Sequence, residues 1–167
     1  MKSANYWIEK LGLTKHPEGG YFKEVYRSNE TMKQESLPAR YTGDRAFSTS
    51  IYFLLTGNEI SAFHRLQSDE IWHYHTGSSA TVYEIDQATG KLISHQIGAE
   101  LESGQRFQVM IKAGNWFAAH LNEPDAYILV GCTVAPGFDF TDFELATEEQ
   151  LLTAYPQHEE LIKAFTI

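Results

Sequence analysis

The sequence predicts an all-β chain closed into a barrel or sandwich, and three observations carry that expectation. From Tyr21 to Val134, short runs rich in Val, Ile, Tyr, Phe and Thr alternate with Gly, Asn and Asp, the pattern of strands separated by turns. No helix-period segment lies between those runs, and a parallel α/β sheet would need one at each crossover. The chain has 167 residues, 43% of them hydrophobic and 21% charged, a globular balance that hides roughly two-thirds of the unfolded surface in one core. No repeat or Pro/Gly/Ser linker divides it. A single domain over 1–167 is expected, with the barrel at about 20–145 and terminal helices at about 5–11 and 147–165.

A short helix is expected over Asn5–Leu11, ended by Gly12 and the turn-forming run His16-Pro17-Glu18-Gly19-Gly20. Strands are expected at Tyr21–Arg27, Phe47–Leu55, Ile60–Leu66, Glu70–Tyr74, Thr81–Ile85, Leu92–Ile97, Phe107–Ile111, Trp116–Leu121 and Tyr127–Val134. Gly57-Asn58, Ala88-Thr89-Gly90 and Ala113-Gly114-Asn115 read as hairpin turns. Phe138, Phe140 and Phe143 read as an anchor tying the following segment to the barrel. Helix returns at Thr147-Glu148-Glu149-Gln150, which has capping-box spacing, and Pro156 can open a second helix carrying Leu161, Ile162 and Phe165.

Composition excludes several function classes. With 13 Lys plus Arg against 22 Asp plus Glu, the net charge is −9, and no basic stripe offers the cationic footprint that nucleic acid requires. The same acidity disfavours an anionic membrane surface, and no apolar run approaches the ~18 residues of a membrane-spanning helix. Met1 to Trp7 lack a secretory hydrophobic stretch, so a cytoplasmic location is expected. The single cysteine, Cys132, excludes an intrachain disulfide and a thiolate-rich metal site and reads as a buried thiol.

Strand alternation supplies the candidate site. Ile60, Ala62, His64 and Leu66 share one strand face, which points His64 into the barrel. Glu70 opens the next strand with Trp72 and Tyr74 on its face. An imidazole and a carboxyl among aromatics have the composition of a small-molecule pocket. His73 and His75 alternate away from Glu70, and His120 also faces elsewhere; His16, His95 and His158 have no obvious partner. Gln108, on the apolar strand Phe107–Ile111, and Arg27, able to clamp an anion, are further ligand-binding candidates.

The run His64 to Gly77 resembles the first cupin motif, G-x5-H-x-H-x3-E-x6-G. His64, Glu70 and Gly77 match it, while Leu66 replaces the second histidine and Asn58 the leading glycine. In the second motif Gly114 fits, but Lys112, Phe117 and Leu121 stand where proline, histidine and asparagine belong. Longer blocks, His16–Phe22 with Tyr26-Arg27-Ser28, Ser48–Leu55, Ser68–His73, Gly114–Ala119 and Val134–Phe138, are similar to the fifth cupin domain family, formerly a domain of unknown function.

That resemblance implies a double-stranded β-helix, the RmlC-like jelly-roll barrel, and a homodimer. It implies a ligand, sugar-like or an organic acid, bound in the barrel by His64, Glu70, Trp72, Tyr52, Gln108, Phe117 and Arg27. Many cupins hold a metal through three histidines and a glutamate; with two of those histidines absent, no stoichiometric metal and no cofactor are expected. One alternative is a metal-free isomerase or epimerase, with His64 as base, Tyr74 or Tyr52 as acid and Glu70 orienting His64 or a substrate hydroxyl. A metal-dependent cupin enzyme is a second alternative.

Overall fold

In the computed structural model, which describes residues 2–167, the chain begins with helix α1 (Ala4–Leu11), capped by the Ser3 hydroxyl and ended by Gly12 in the left-handed conformation. Thirteen strands follow: β1 (Thr14–Lys15), β2 (Tyr21–Arg27), β3 (Thr31–Met32), β4 (Arg45–Ala46), β5 (Thr49–Thr56), β6 (Ile60–Arg65), β7 (Asp69–Gly77), β8 (Ala80–Ile85), β9 (Leu92–Ile97), β10 (Gln108–Ile111), β11 (Trp116–Leu121), β12 (Tyr127–Ala135) and β13 (Glu144–Leu145). Helices α2 (Glu148–Ala154) and α3 (Glu159–Ala164) close the chain. Thr147 caps α2 by accepting from the Gln150 amide, while Pro156 opens a 3-10 turn that leads into α3. Among the described residues no helix is long and apolar enough to cross a membrane.

Two antiparallel sheets pack face to face. One runs β1-β2-β5-β12-β7-β10, the other β13-β6-β11-β8-β9, and β3-β4 form a separate small ribbon. The nine expected strands all form, three of them with the expected ends; β1, β3, β4 and β13 were not expected, because two residues carry no readable alternation. The faces sort cleanly. Phe53, Trp72, Val82, Ile111, Phe117 and Val130 fill the space between the sheets. Outside the larger sheet, Leu54, Tyr127 and Leu129 are covered by Trp7, Ile8 and Leu11 of α1. Outside the smaller sheet, Phe63, Trp116 and Ala118 are covered by Leu151, Ile162 and Phe165 of the C-terminal segment.

Two departures from strict alternation shape the interior. On β6 the pairing with β11 shifts between Phe117 and Ala119, the signature of a bulge. Ser61, instead of Ala62, therefore reaches inward with His64, and Ile60 turns to the C-terminal helices. On β12 the pairing with β7 shifts between Leu129 and Val130.

The turn at His16–Gly20 is pressed hard against the barrel. Its ends close on each other, the His16 amide donating to the Gly20 carbonyl (3.1 Å) and the Gly19 amide to the His16 carbonyl (3.1 Å). Gly19 has φ +110°, and a Cβ there would stand 2.1 Å from the Ile60 carbonyl oxygen. Only glycine permits both that conformation and that approach. Gly19→Ala is expected to destabilise the protein by on the order of 2 kcal/mol through backbone strain, with displacement of the turn besides. Gly57→Ala, where φ is +61° but nothing lies within 4 Å, is expected to cost about 1 kcal/mol. Urea unfolding of the two variants checks the difference.

Candidate functional site

Between the sheets, at the end where the His16–Gly20 turn meets β6 and β7, lies a cavity of about 290 Å³. Its floor and walls are Ile51, Phe53, His64, Leu66, Glu70, Trp72, Cys132 and Val134, and its mouth is ringed by His16, Phe22, Phe138, Phe140 and Phe143. Glu18, Glu24, Arg27 and Asp139 add charge. The volume is at the small end of ligand pockets, which suits a compact molecule.

His64 is 2% exposed. Its Nδ1 lies 2.7 Å from the Ala62 carbonyl oxygen, which can only accept, so Nδ1 carries a hydrogen. Its Nε2 lies 3.0 Å from Glu18 Oε2; burial holds the imidazole below its ordinary value, and Glu18 and the Ala62 carbonyl only partly offset it. Glu18 Oε2 also faces His16 Nδ1 at 3.3 Å, and Oε1 accepts from the Ser61 hydroxyl at 2.7 Å. The Glu18 carbonyl oxygen accepts from the Ala62 amide at 2.8 Å, so main chain and side chain are both tied to β6. Burial by itself would push the Glu18 carboxyl up; His64, His16 and Ser61 together outweigh it and hold the group below the ordinary carboxylate value.

Glu70 is the opposite case. It is 7% exposed, beside the Trp72 indole and the Cys132 thiol. Burial first, and the Glu18 charge second, push its carboxyl up to about 8. The Cys132 thiol is likewise pushed well up by burial, with Glu70 and Glu18 adding to the effect. Trp72 Nε1 is buried against the Glu70 carboxyl, where it works against the upward shift of that group without forming a hydrogen bond of good geometry. The cavity thus places an ionised carboxylate and a protonated carboxyl around one small space.

His64, Glu70, Trp72 and Arg27 all line the cavity, as the sequence suggests. The partner of His64, however, is Glu18 and not Glu70, so the orienting role expected of Glu70 belongs to the turn. Phe117 is not a wall of the cavity: its buried ring packs behind His64, with centroids 4.0 Å apart. Tyr74 is inward-facing but lies at the other end of the barrel, its hydroxyl donating to the Gly77 carbonyl at 2.6 Å. Four residues of strand carry it about 13 Å from Glu70. Tyr52 faces outward, packed with the α1 cluster and edge-on to His75 at 5.8 Å. Gln108 is exposed on the outer face of β10, where Val109 and Ile111 point inward instead. His73 and His75 lie off the cavity, as alternation indicates.

Sequence reasoning missed Glu18 and His16, and it read the post-barrel phenylalanines as an anchor only. Two adjacent glycines beside a histidine and a glutamate were the available signal, since such glycines mark close backbone approach. The segment bearing Phe138, Phe140 and Phe143 rims the mouth, and its fixture is ionic. The buried Arg45 guanidinium donates to both Asp142 oxygens (2.6 and 2.5 Å) and to the Thr141 hydroxyl (3.1 Å).

The family model described as the cupin superfamily (DUF985) matches residues 5–146. The chain belongs to that family. This cupin is 34% identical over 149 residues to an uncharacterised protein of Saccharomyces cerevisiae, YML079W, covering 84% of this chain and 73% of that one. Among solved structures it is similar to protein SO0799 of Shewanella oneidensis, with 40% identity, a TM-score of 0.89, and coverage of 100% and 99% of the two chains. A hypothetical protein from Leishmania major shares 36% identity with a TM-score of 0.87 over 99% of each chain. Bacillus subtilis oxalate decarboxylase, at 16% identity and a TM-score of 0.55 over 90% of this chain and 36% of that one, shares the fold alone.

The metal centre that many cupins carry does not fit these residues. Leu66 and Phe117, both buried and apolar, fill two histidine places. Among the described residues no three His, Cys, Asp or Glu side chains are grouped to hold an ion.

Proposed function

We propose that this cupin binds a compact, hydroxyl-bearing molecule, sugar-like in its donors and acceptors, in the barrel cavity. The observation that carries this reading is the convergence of Glu18, His64 and Glu70 on one small cavity whose other walls are aromatic and aliphatic. Glu70 can donate to a ligand oxygen while it keeps its proton, and the Glu18–His64 pair can hold a further hydroxyl. The aromatic rim would shed water on closure over an apolar ring face. An organic acid, the other expected class, would set a second negative charge beside Glu18.

The test is a thermal-shift and calorimetric screen of sugars, amino sugars and polyols against the wild type and Glu70→Leu. Because a ligand selective for the native state stabilises it by mass action, binders should raise the Tm. Their affinity should fall about tenfold in Glu70→Leu, the worth of one hydrogen bond to a polar ligand. Binders whose affinity ignores Glu70→Leu would place the ligand elsewhere.

A second reading is favoured by the split between the two carboxyls, the pattern of an acid and a base held at one pH. His64 Nε2, with Glu18 beside it to stabilise the imidazolium, would take a proton from carbon next to the carbonyl of a hydroxy-carbonyl ligand while Glu70 gives its proton to the carbonyl oxygen. His64 then returns its proton to the neighbouring carbon and Glu70 recovers one from the enediol's other hydroxyl, which completes an isomerisation. Glu70 here replaces the tyrosines expected as acid. Solvent deuterium entering a bound ligand at carbon, and lost in Glu70→Gln, is the expected result.

A further inference from the structure

Building on the cavity reading above, we infer that the ligand is a small organic cation carrying an oxygen acceptor, an amino alcohol or amino sugar, with its charge held between the aromatic rim and the carboxyls beneath it. The charge inventory of the cavity points this way. Four acidic side chains line it, Glu18, Glu24, Glu70 and Asp139, and no lysine does. Arg27 is paired with Glu24 through two contacts of 3.0 and 2.7 Å, and His64 faces Glu18 at 3.0 Å. Among the described residues that leaves Glu70 and Asp139 as the lining acids without a cationic partner.

The rim has the composition of a cation cage. Phe138 and Phe140 meet edge to face with centroids 5.0 Å apart, Phe143 stands 6.1 Å from Phe140, and the His16 ring lies 6.3 Å from Phe140. Aromatic faces attract ammonium groups, most strongly where water is excluded. The oxygen comes from the hydroxyl-bearing ligand proposed above; the rim and the carboxyls add the charge to it.

The state of Glu70 follows from the same surroundings. The groups packed around it are Glu18 from the turn, Trp72 on its own strand and Cys132 on β12, with His64 across the cavity on β6; β10 contributes only Val109 and Ile111. In the empty cavity its carboxyl keeps a proton at neutral pH, and a bound cation removes the reason for keeping it. Binding of a permanent cation should therefore release a proton near neutrality and tighten as pH rises.

Two matched pairs test this on the full chain by calorimetry: choline against 3,3-dimethyl-1-butanol, the same shape without charge, and glucosamine against glucose, with lactate as the anion. The cationic member of each pair should bind at least about tenfold tighter. Choline affinity should rise about tenfold from pH 7 to pH 9, following the ionised fraction of Glu70, and stay flat in Glu70→Gln. Phe140→Ala, at a side chain 56% exposed and so spared by folding, should weaken choline several-fold. Equal or tighter binding of the neutral partner or of lactate overturns the cation assignment while leaving the cavity reading in place. Absence of binding by both cations at roughly 10 mM, well above ordinary small-ligand affinities, overturns the assignment too, and the Glu70→Leu screen with neutral sugars and polyols then decides the cavity reading separately.

Discussion

Glu70→Gln is expected to stabilise the folded protein at pH 8 by on the order of 4 kcal/mol and to change nothing near pH 4. The folded carboxyl titrates at about 8 and the unfolded one near 4.5. Between those values the native state binds the extra proton, so stability falls as pH rises, by about 1.4 kcal/mol per unit, and levels off above the upper value. Glutamine keeps the shape of the neutral acid and never ionises, so it escapes that loss. Urea unfolding of wild type and variant at pH 4, 6 and 8 should show two curves that coincide in acid and separate progressively. Parallel curves would mean that Glu70 ionises in the native state without penalty. A stability cost of this kind at working pH is what a binding site carries, and the loss of pH-dependent choline binding expected of the same variant would be the other half of that trade.

The barrel was legible in the sequence because strand alternation and turn residues are local signals. Alternation also named three side chains of the cavity, His64, Glu70 and Trp72, and residue chemistry a fourth, Arg27. It says which face a residue takes but not how far along the barrel it lies, which is why Tyr74 was placed at the wrong end. Tyr52 and Gln108 were chosen by side-chain type, without a phase count, and they sit on outer faces, Tyr52 between inward Ile51 and Phe53 and Gln108 before inward Val109. The deeper loss was Glu18. Its partnership with His64 depends on a turn 43 residues before Ser61 meeting β6, a non-local approach that no period reports. The glycines that permit it are visible in the sequence; the strand they press against is not.

The rim poses the complementary question, since aromatic side chains recognise a charge only if they are held still. Asp142→Ala is expected to destabilise the protein by about 3–5 kcal/mol, because it strands the Arg45 guanidinium, 4% exposed, without its carboxylate. Arginine cannot escape by losing its proton, so the penalty of a buried charge falls on the fold. The local effect should exceed the global one. Asp142 sits between Phe140 and Phe143, and β13 beyond it pairs Leu145 with His64 itself. Loosening this segment therefore frees the rim and slackens the strand beside the imidazole. Hydrogen exchange should quicken first at the amides of Asp142 and Phe143, which donate to Asp139 and Phe140, while β5 and β12 stay protected. The double variant Arg45→Met with Asp142→Leu, which removes both charges and keeps the volume apolar, should recover most of the stability. If that double variant binds ligand as the wild type does, the ion pair serves the fold; if stability returns while binding does not, the guanidinium–carboxylate fork is what sets the rim in place.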